Sequence, residues 1–348
     1  MSNMTENTPD RARTRFPGIS SRAYEHPADR SALVALRSLS GFDVVLRKMS
    51  GLINERAFRL MFLGGTVRVG EDQFRHVHDM LRDAAYILDL AEVPELYVKQ
   101  DPTPNAMAIG SDHPFIVLNT GLLDLLDDEE LRFVIGHEVG HVLSGHAVYR
   151  TMMQILISLG ARLAWLPLGN VGIAAIIIGL QEWFRKAELS SDRAGLLAGQ
   201  DVDAAKRTMM KLAGGVRLRE MSSEAFLAQA RDYDAAGDVR DGLLKFLNLL
   251  PQSHPFAVIR FAELDRWARG GEYARIMAGD YPRRADDGSA SVTDEIRNAA
   301  RSYRESWERT ADPFVGKVRD MADAAAGAAG GLFDRITRRD AGPTDGSN

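Results

Sequence analysis

Apolar residues recur at helical spacing across residues 31–63, at Leu33, Leu36, Leu39, Val44, Val45, Met49 and Leu52, with Gly41 and Gly51 as punctuation. Spacings of three and four align such positions on one side of a helix, so the stretch predicts amphipathic helices facing a core. A second stretch of the same period, residues 71–90, aligns Phe74, Val77, Leu81, Ala84, Ala85 and Leu88. Between them, residues 66–69 form a short β-branched run. Residues 94–99, 105–109 and 114–119 are short runs of Tyr, Val, Ile and Phe bounded by Pro and Gly, which predicts a small sheet. Helical period returns at residues 128–146 through Leu131, Val134, Ile135 and Val142. The acidic cluster at residues 127–130 stands where a helix N-terminus favours negative charge. The pattern is that of a mainly α chain with a small β-sheet, in the α+β class.

Composition divides the chain further. Residues 1–30 are a polar N-terminal tail, residues 31–282 carry the periodic pattern of a domain, and residues 283–348 are a charged C-terminal tail with few large apolar side chains. Hydrophobic residues at 45% and charged residues at 26% are ordinary for a folded protein. A net charge of -5 has the wrong sign for a surface that neutralises phosphates, so no nucleic acid partner is expected. Zero cysteines exclude a disulfide framework, a thiolate metal site and a cysteine nucleophile, and any metal must then sit on His, Asp or Glu. Residues 1–29 hold no apolar stretch that would serve as the core of a signal peptide, so the expected location is cytoplasmic and not secreted.

His137-Glu138-Val139-Gly140-His141 carries the chemistry. Two histidines four apart stand about 40° apart on one helix face, one turn along, and can bind the same ion. Glu138 falls about 60° round from His141, within reach of a water on the metal and poorly placed as a ligand, which suits a general base. Catalytic zinc normally takes three protein ligands, so a third must come from elsewhere. The metzincin arrangement fails, since Ser144 and Ala147 occupy the positions of its glycine and third histidine. His146 would lie about 180° from His137 if the helix continued, which favours a surface, capping or packing role over ligation. Glu188-Leu189-Ser190-Ser191-Asp192 offers Glu188 as a ligand and Asp192, one turn along, as acceptor for the far N–H of a ligand histidine.

These residues resemble the HtpX-like and CAAX-prenyl-protease-like zinc metalloendopeptidases of the gluzincin class. The resemblance is most specific at Asn105-Ala106-Met107-Ala108, His137 to His146, Glu188 to Asp192, and Ser253-His254-Pro255 with Arg260. It implies a zincin-like metallopeptidase domain holding one Zn2+ on His137, His141 and Glu188, with Glu138 as the base. It further implies that Asn105, Ala106, Met107 and Ala108 form an edge strand for an extended protein or peptide substrate. His254 and Arg260 would hold the carbonyl oxygen as it becomes an anion. The residues themselves leave open a structural ion pair for Arg260 and a turn role for His254 before Pro255. A reading from another class is a polypeptide-holding or assembly factor with a mainly structural zinc, although a structural site normally has four protein ligands.

Residues 151–180 are strongly apolar. Two membrane crossings need about 40 apolar residues, and this stretch has 30, interrupted by Arg162, Pro167 and Asn170. It reads as a helical hairpin insert turning near residues 167–170, either buried as core or in peripheral contact with a membrane surface. The C-terminal tail, with Phe314, Val318, Met321, Ala325, Leu332, Phe333 and Ile336, offers a weaker seam broken by Gly327, Gly330 and Gly331, which reads as a loosely ordered solvated helix or as a contact with a membrane surface or partner.

Overall fold

The computed structural model describes residues 12–37, 42, 45–46, 55–159, 169–235 and 256–287. The four β-like runs become strands β1 (Val67–Arg68), β2 (Leu96–Lys99), β3 (Ala106–Ile109) and β4 (Phe115–Asn119). Their spatial order is β1-β2-β4-β3, with β2 and β4 parallel and both outer pairings antiparallel. β4 is buried along its whole length because both its faces are covered, and so it reads as a continuous apolar run rather than an alternating one. Alternate side chains divide between the faces: Ile116 and Leu118 join the main core with Ala106 and Ala108, while Phe115 and Val117 pack with Tyr97 and Ile109 under Phe62. β3 is an edge of this sheet among the described residues.

The helices are α1 (Pro27–Arg37), α2 (Glu55–Gly65), α3 (Arg75–Ile87), α4 (Thr120–Leu125), α5 (Asp128–Leu143), α6 (His146–Leu159), α7 (Gly169–Gly199), α8 (Val202–Gly214), α9 (Ser223–Ala235), α10 (Ala257–Arg269) and α11 (Glu272–Met277). The acidic start of α5 is a capping box: Asp127 accepts the Glu130 N–H at 3.0 Å, and Glu130 accepts the Asp127 N–H at 2.9 Å. Glu130 is fully buried and also takes Arg207 and Lys211 from α8, which fastens that helix to the start of α5.

α5 and α7 form the most extensive helix contact among the described residues. Small residues make the approach possible. A Cβ on Gly136 would stand 2.4 Å from the Ala198 Cβ, and one on Gly140 would stand 2.5 Å from the Ala194 Cβ. On an exposed helix a Gly-to-Ala change gains about 1 kcal/mol of helix propensity. Here the clash is expected to win, so Gly140→Ala should lower stability to denaturant by about 1–2 kcal/mol. Ala194→Gly in the same chain should recover part of the loss, read as a favourable coupling in a double-mutant cycle. A Gly140→Ala protein as stable as the parent would contradict this packing.

Three sequence expectations change. The core reaches further toward the N-terminus than residue 31: Phe16, Ile19 and Tyr24 are buried in the main cluster, and Ser20 and Asp29 are buried with them. At the other end, Arg284 bonds Asp89 and Asp287 accepts from the Ser20 hydroxyl, so residues 284 and 287 are tied to the same body; residues 288–348 lie outside those described. Phe74, expected on the apolar face, is the left-handed residue before α3 (φ 50°) and is 41% exposed.

Much of the apolar 151–180 stretch packs inward. Met152, Ile155, Leu156, Ile176 and Leu180 form a second cluster with Trp183 and Phe184, closed by Leu36, Phe42 and Val45 from the N-terminal side. Among the described residues no helix is long and apolar enough to cross a membrane. Residues 160–168, including half of the expected hairpin turn, lie outside them, and residues 169 and 170 begin α7.

Candidate metal centre

α5 presents His137 and His141 one turn apart, and α7, held close by the glycine–alanine contacts, brings Glu188 against them. His141 Nε2 lies 3.1 Å from His137 Nε2 and 3.1 Å from Glu188 Oε1. His137 Nε2 lies 3.5 Å from Glu188 Oε2. Donor atoms around a tetrahedral zinc, at bond lengths of about 2.0–2.1 Å, stand about 3.3–3.4 Å apart. Those spacings, together with two imidazoles and a carboxylate and no thiolate, fit a zinc ion. All three side chains are buried, Glu188 completely.

A carboxylate fixes His137. Its Nδ1 lies 2.9 Å from Oδ1 of Asp192, one turn beyond Glu188 on α7. Arg260, from α10, grips Asp192 through Nε at 2.8 Å and through a second close contact, and its Nη1 lies 3.3 Å from Glu188 Oε2. The guanidinium is thus engaged in the ion pair that the sequence left open for it, while the residue also lines the cleft described below. Burial pushes the Asp192 carboxyl up, but Arg260 and His137 outweigh it and hold it below the usual carboxylate range. Burial pushes the His137 imidazole down, and Glu188 and Asp192 outweigh that, raising it to about 9. His141 is held well below the usual imidazole range by burial, with Glu188 opposing. A metal ligand must give up its proton, so a cation bound here competes with one on His137.

His141 is oriented differently. Its ring stacks on Phe184 of α7, with centroids 5.3 Å apart and planes at 9°. Its Nδ1 meets His146 Nδ1 at 3.0 Å. A helix running on through His146 would turn that residue away from His137. Instead α5 stops at Leu143, and Gly145, at φ 71°, reverses the chain so that α6 starts with His146 facing back. His146 is outside the converging group, yet it is 5% exposed and touches His141, a member of it. Glycine just past the last periodic residue is a helix-stop signal, and reading it would have placed the turn.

A cleft of about 690 Å³ opens beside the group. Glu138 and His137 line it together with Asn105 and Ala106, next to apolar walls that include Phe133, Leu212 and Phe226. Of the expected edge-strand residues, Ala106, Met107 and Ala108 are in β3, and Asn105 extends the pairing by accepting the Asn119 N–H at 2.9 Å. Glu138, though it lines the cleft, is 1% exposed. His254 lies outside the described residues.

Comparison with known proteins gives a consistent picture. Residues 71–268 match the model of Peptidase family M48. The chain is 36% identical over 267 residues to the plastoglobule-localized metallopeptidase 48, chloroplastic, of Arabidopsis thaliana, covering 75% of this chain and 77% of that protein. It is 29% identical over 242 residues to a protease HtpX homolog of Streptococcus uberis, covering 62% of this chain and 73% of that one. Against the protease HtpX homolog of Caldanaerobacter subterraneus the identity is 31% over 134 residues, 33% of this chain and 44% of the relative. No solved structure matches.

Proposed function

The chain belongs to peptidase family M48 and is a metalloprotease, and from that premise we propose that it is a zinc-dependent endopeptidase. In this reading His137, His141 and Glu188 hold one zinc, and Glu138 is the general base. The observation that carries it is the convergence of three buried side chains, from two helices, with the two Nε2 atoms 3.1 Å apart and each within 3.1 to 3.5 Å of one Glu188 carboxylate oxygen. Zinc bound there would lower the pKa of a water toward ~7 and polarise the scissile carbonyl.

The chain's own residues do the rest. Glu138, next to His137 and lining the cleft, takes the proton of the attacking water and passes it to the leaving amine nitrogen. An extended substrate lies along Asn105 to Ala108, adding a strand at the β3 edge, which brings its backbone past Glu138. Arg260 and His254 are assigned to the carbonyl oxygen as negative charge develops, Arg260 from a guanidinium already fixed by Asp192 and Glu188. The proposal keeps the chain cytoplasmic, with peripheral membrane contact through residues 151–180, where Ile157 is 53% exposed, or through the C-terminal tail.

Digestion of a peptide library by the purified protein tests the reaction. Cleavage is expected at internal bonds, to be abolished by a chelator and to return on adding zinc. Cleavage that survives complete metal removal would rule the mechanism out.

A further inference from the structure

The far nitrogens of the two ligand imidazoles are held by different devices. His137 faces a carboxylate, the common arrangement for a ligand histidine. His141 faces another imidazole, His146, whose Nε2 lies 3.4 Å from Oδ2 of Asp29. Asp29 is itself fixed from α7: its Oδ1 accepts the Trp183 indole N–H at 2.8 Å, and its Oδ2 accepts the Ser190 hydroxyl at 2.6 Å. Ser190 in turn accepts the backbone N–H of His26 at 2.9 Å, which anchors the chain just before α1. His146, Asp29, Ser190 and Trp183 are all buried.

Hydrogen-bond direction in this chain has one solution. For Nε2 of His141 to offer a lone pair to a cation, its proton must sit on Nδ1, which then donates to His146. His146 Nδ1 must accept, so its own proton is on Nε2 and points at Asp29, a carboxylate that only accepts. We propose that His146 and Asp29 are positioning residues for His141, holding its ring in the ligating tautomer and orientation. The metal centre then depends on a residue well outside the matched region 71–268. This inference rests on the zinc reading above, and the two fail in different ways.

The experiment uses the full chain. Zinc affinity is measured by competition with a chromophoric chelator, and the visible spectrum of the Co2+-substituted protein is recorded, for the parent and for Asp29→Asn, His146→Leu and His146→Asn. The Asn side chain at 146 keeps an acceptor for the His141 N–H, whereas Leu keeps none. At position 29, Asn leaves one oxygen for three donors. His146→Leu and Asp29→Asn are expected to weaken zinc binding by roughly 10–100-fold and to shift the Co2+ bands, with His146→Asn recovering much of the affinity. Melting temperatures of the metal-free proteins separate a merely structural role. Variants that melt earlier yet keep the parent's zinc affinity and Co2+ spectrum overturn the proposal, as does a His146→Asn protein no better than His146→Leu. A parent that takes up no zinc overturns the zinc reading itself, and this inference with it, before any variant is compared.

Discussion

Glu138→Gln is expected to slow peptide hydrolysis by about 10²–10⁴-fold with zinc content at the parent level. The substitution keeps shape and removes the ability to take a proton. Glu138 is not among the three residues whose donor atoms converge, so its loss should spare the metal. It lines the cleft together with Asn105 and Ala106, where the proposed mechanism puts the attacking water. The check is kcat and metal content on the same preparation. Loss of zinc together with activity would make Glu138 a ligand; an unchanged rate would put the base elsewhere.

Glu188→Ala is expected to have the larger effect on the metal. It deletes one of the three proposed ligands, so zinc affinity should fall by more than the roughly 10–100-fold that loss of a supporting partner costs. Zinc that binds only the folded chain should raise the melting temperature of the parent. In the Glu188→Ala protein that rise should vanish. The cost goes beyond the ligand, because Glu188 is fully buried and shares Arg260 with Asp192, 3.3 Å from Nη1. A buried charge stripped of one partner is destabilising, so the metal-free variant should also melt below the metal-free parent. Equal zinc-induced shifts in the two proteins would show that the third ligand lies elsewhere.

The residues that carry the site differ in how far the sequence exposes them. His137, Glu138 and His141 are legible because ligand spacing and helical period are both local, and the capped acidic start of α5 marks the helix. β2, β3 and β4 are legible for a similar reason, each being a short apolar run between Pro and Gly signals. Glu188 is different. An ExxxD alone is an ordinary helix face, and it gains meaning only beside the histidine motif and the family resemblance. The apolar 151–180 stretch is ambiguous in sequence between core and membrane because what covers it comes from Leu36, Phe42 and Val45, more than a hundred residues earlier. His146 packs rather than ligates, as its position relative to His137 suggests, but a helix extrapolated past Gly145 does not show that its ring meets His141. Asp29 carried no signal at all: a single carboxylate in a polar stretch acquires its partners, Trp183, Ser190 and His146, only through tertiary packing. Local periodicity thus locates the helix bearing the chemistry, and the supports behind that helix come from contacts that periodicity does not encode.

The central claim is that His137, His141 and Glu188 share one ion, and anomalous diffraction at the zinc edge from crystals of the zinc-loaded chain tests it most directly. The expected map has a single strong peak bounded by the two Nε2 atoms and the Glu188 carboxylate, with Glu138 outside ligand distance. A peak at other side chains, or Glu188 turned away from the paired imidazoles, would contradict it.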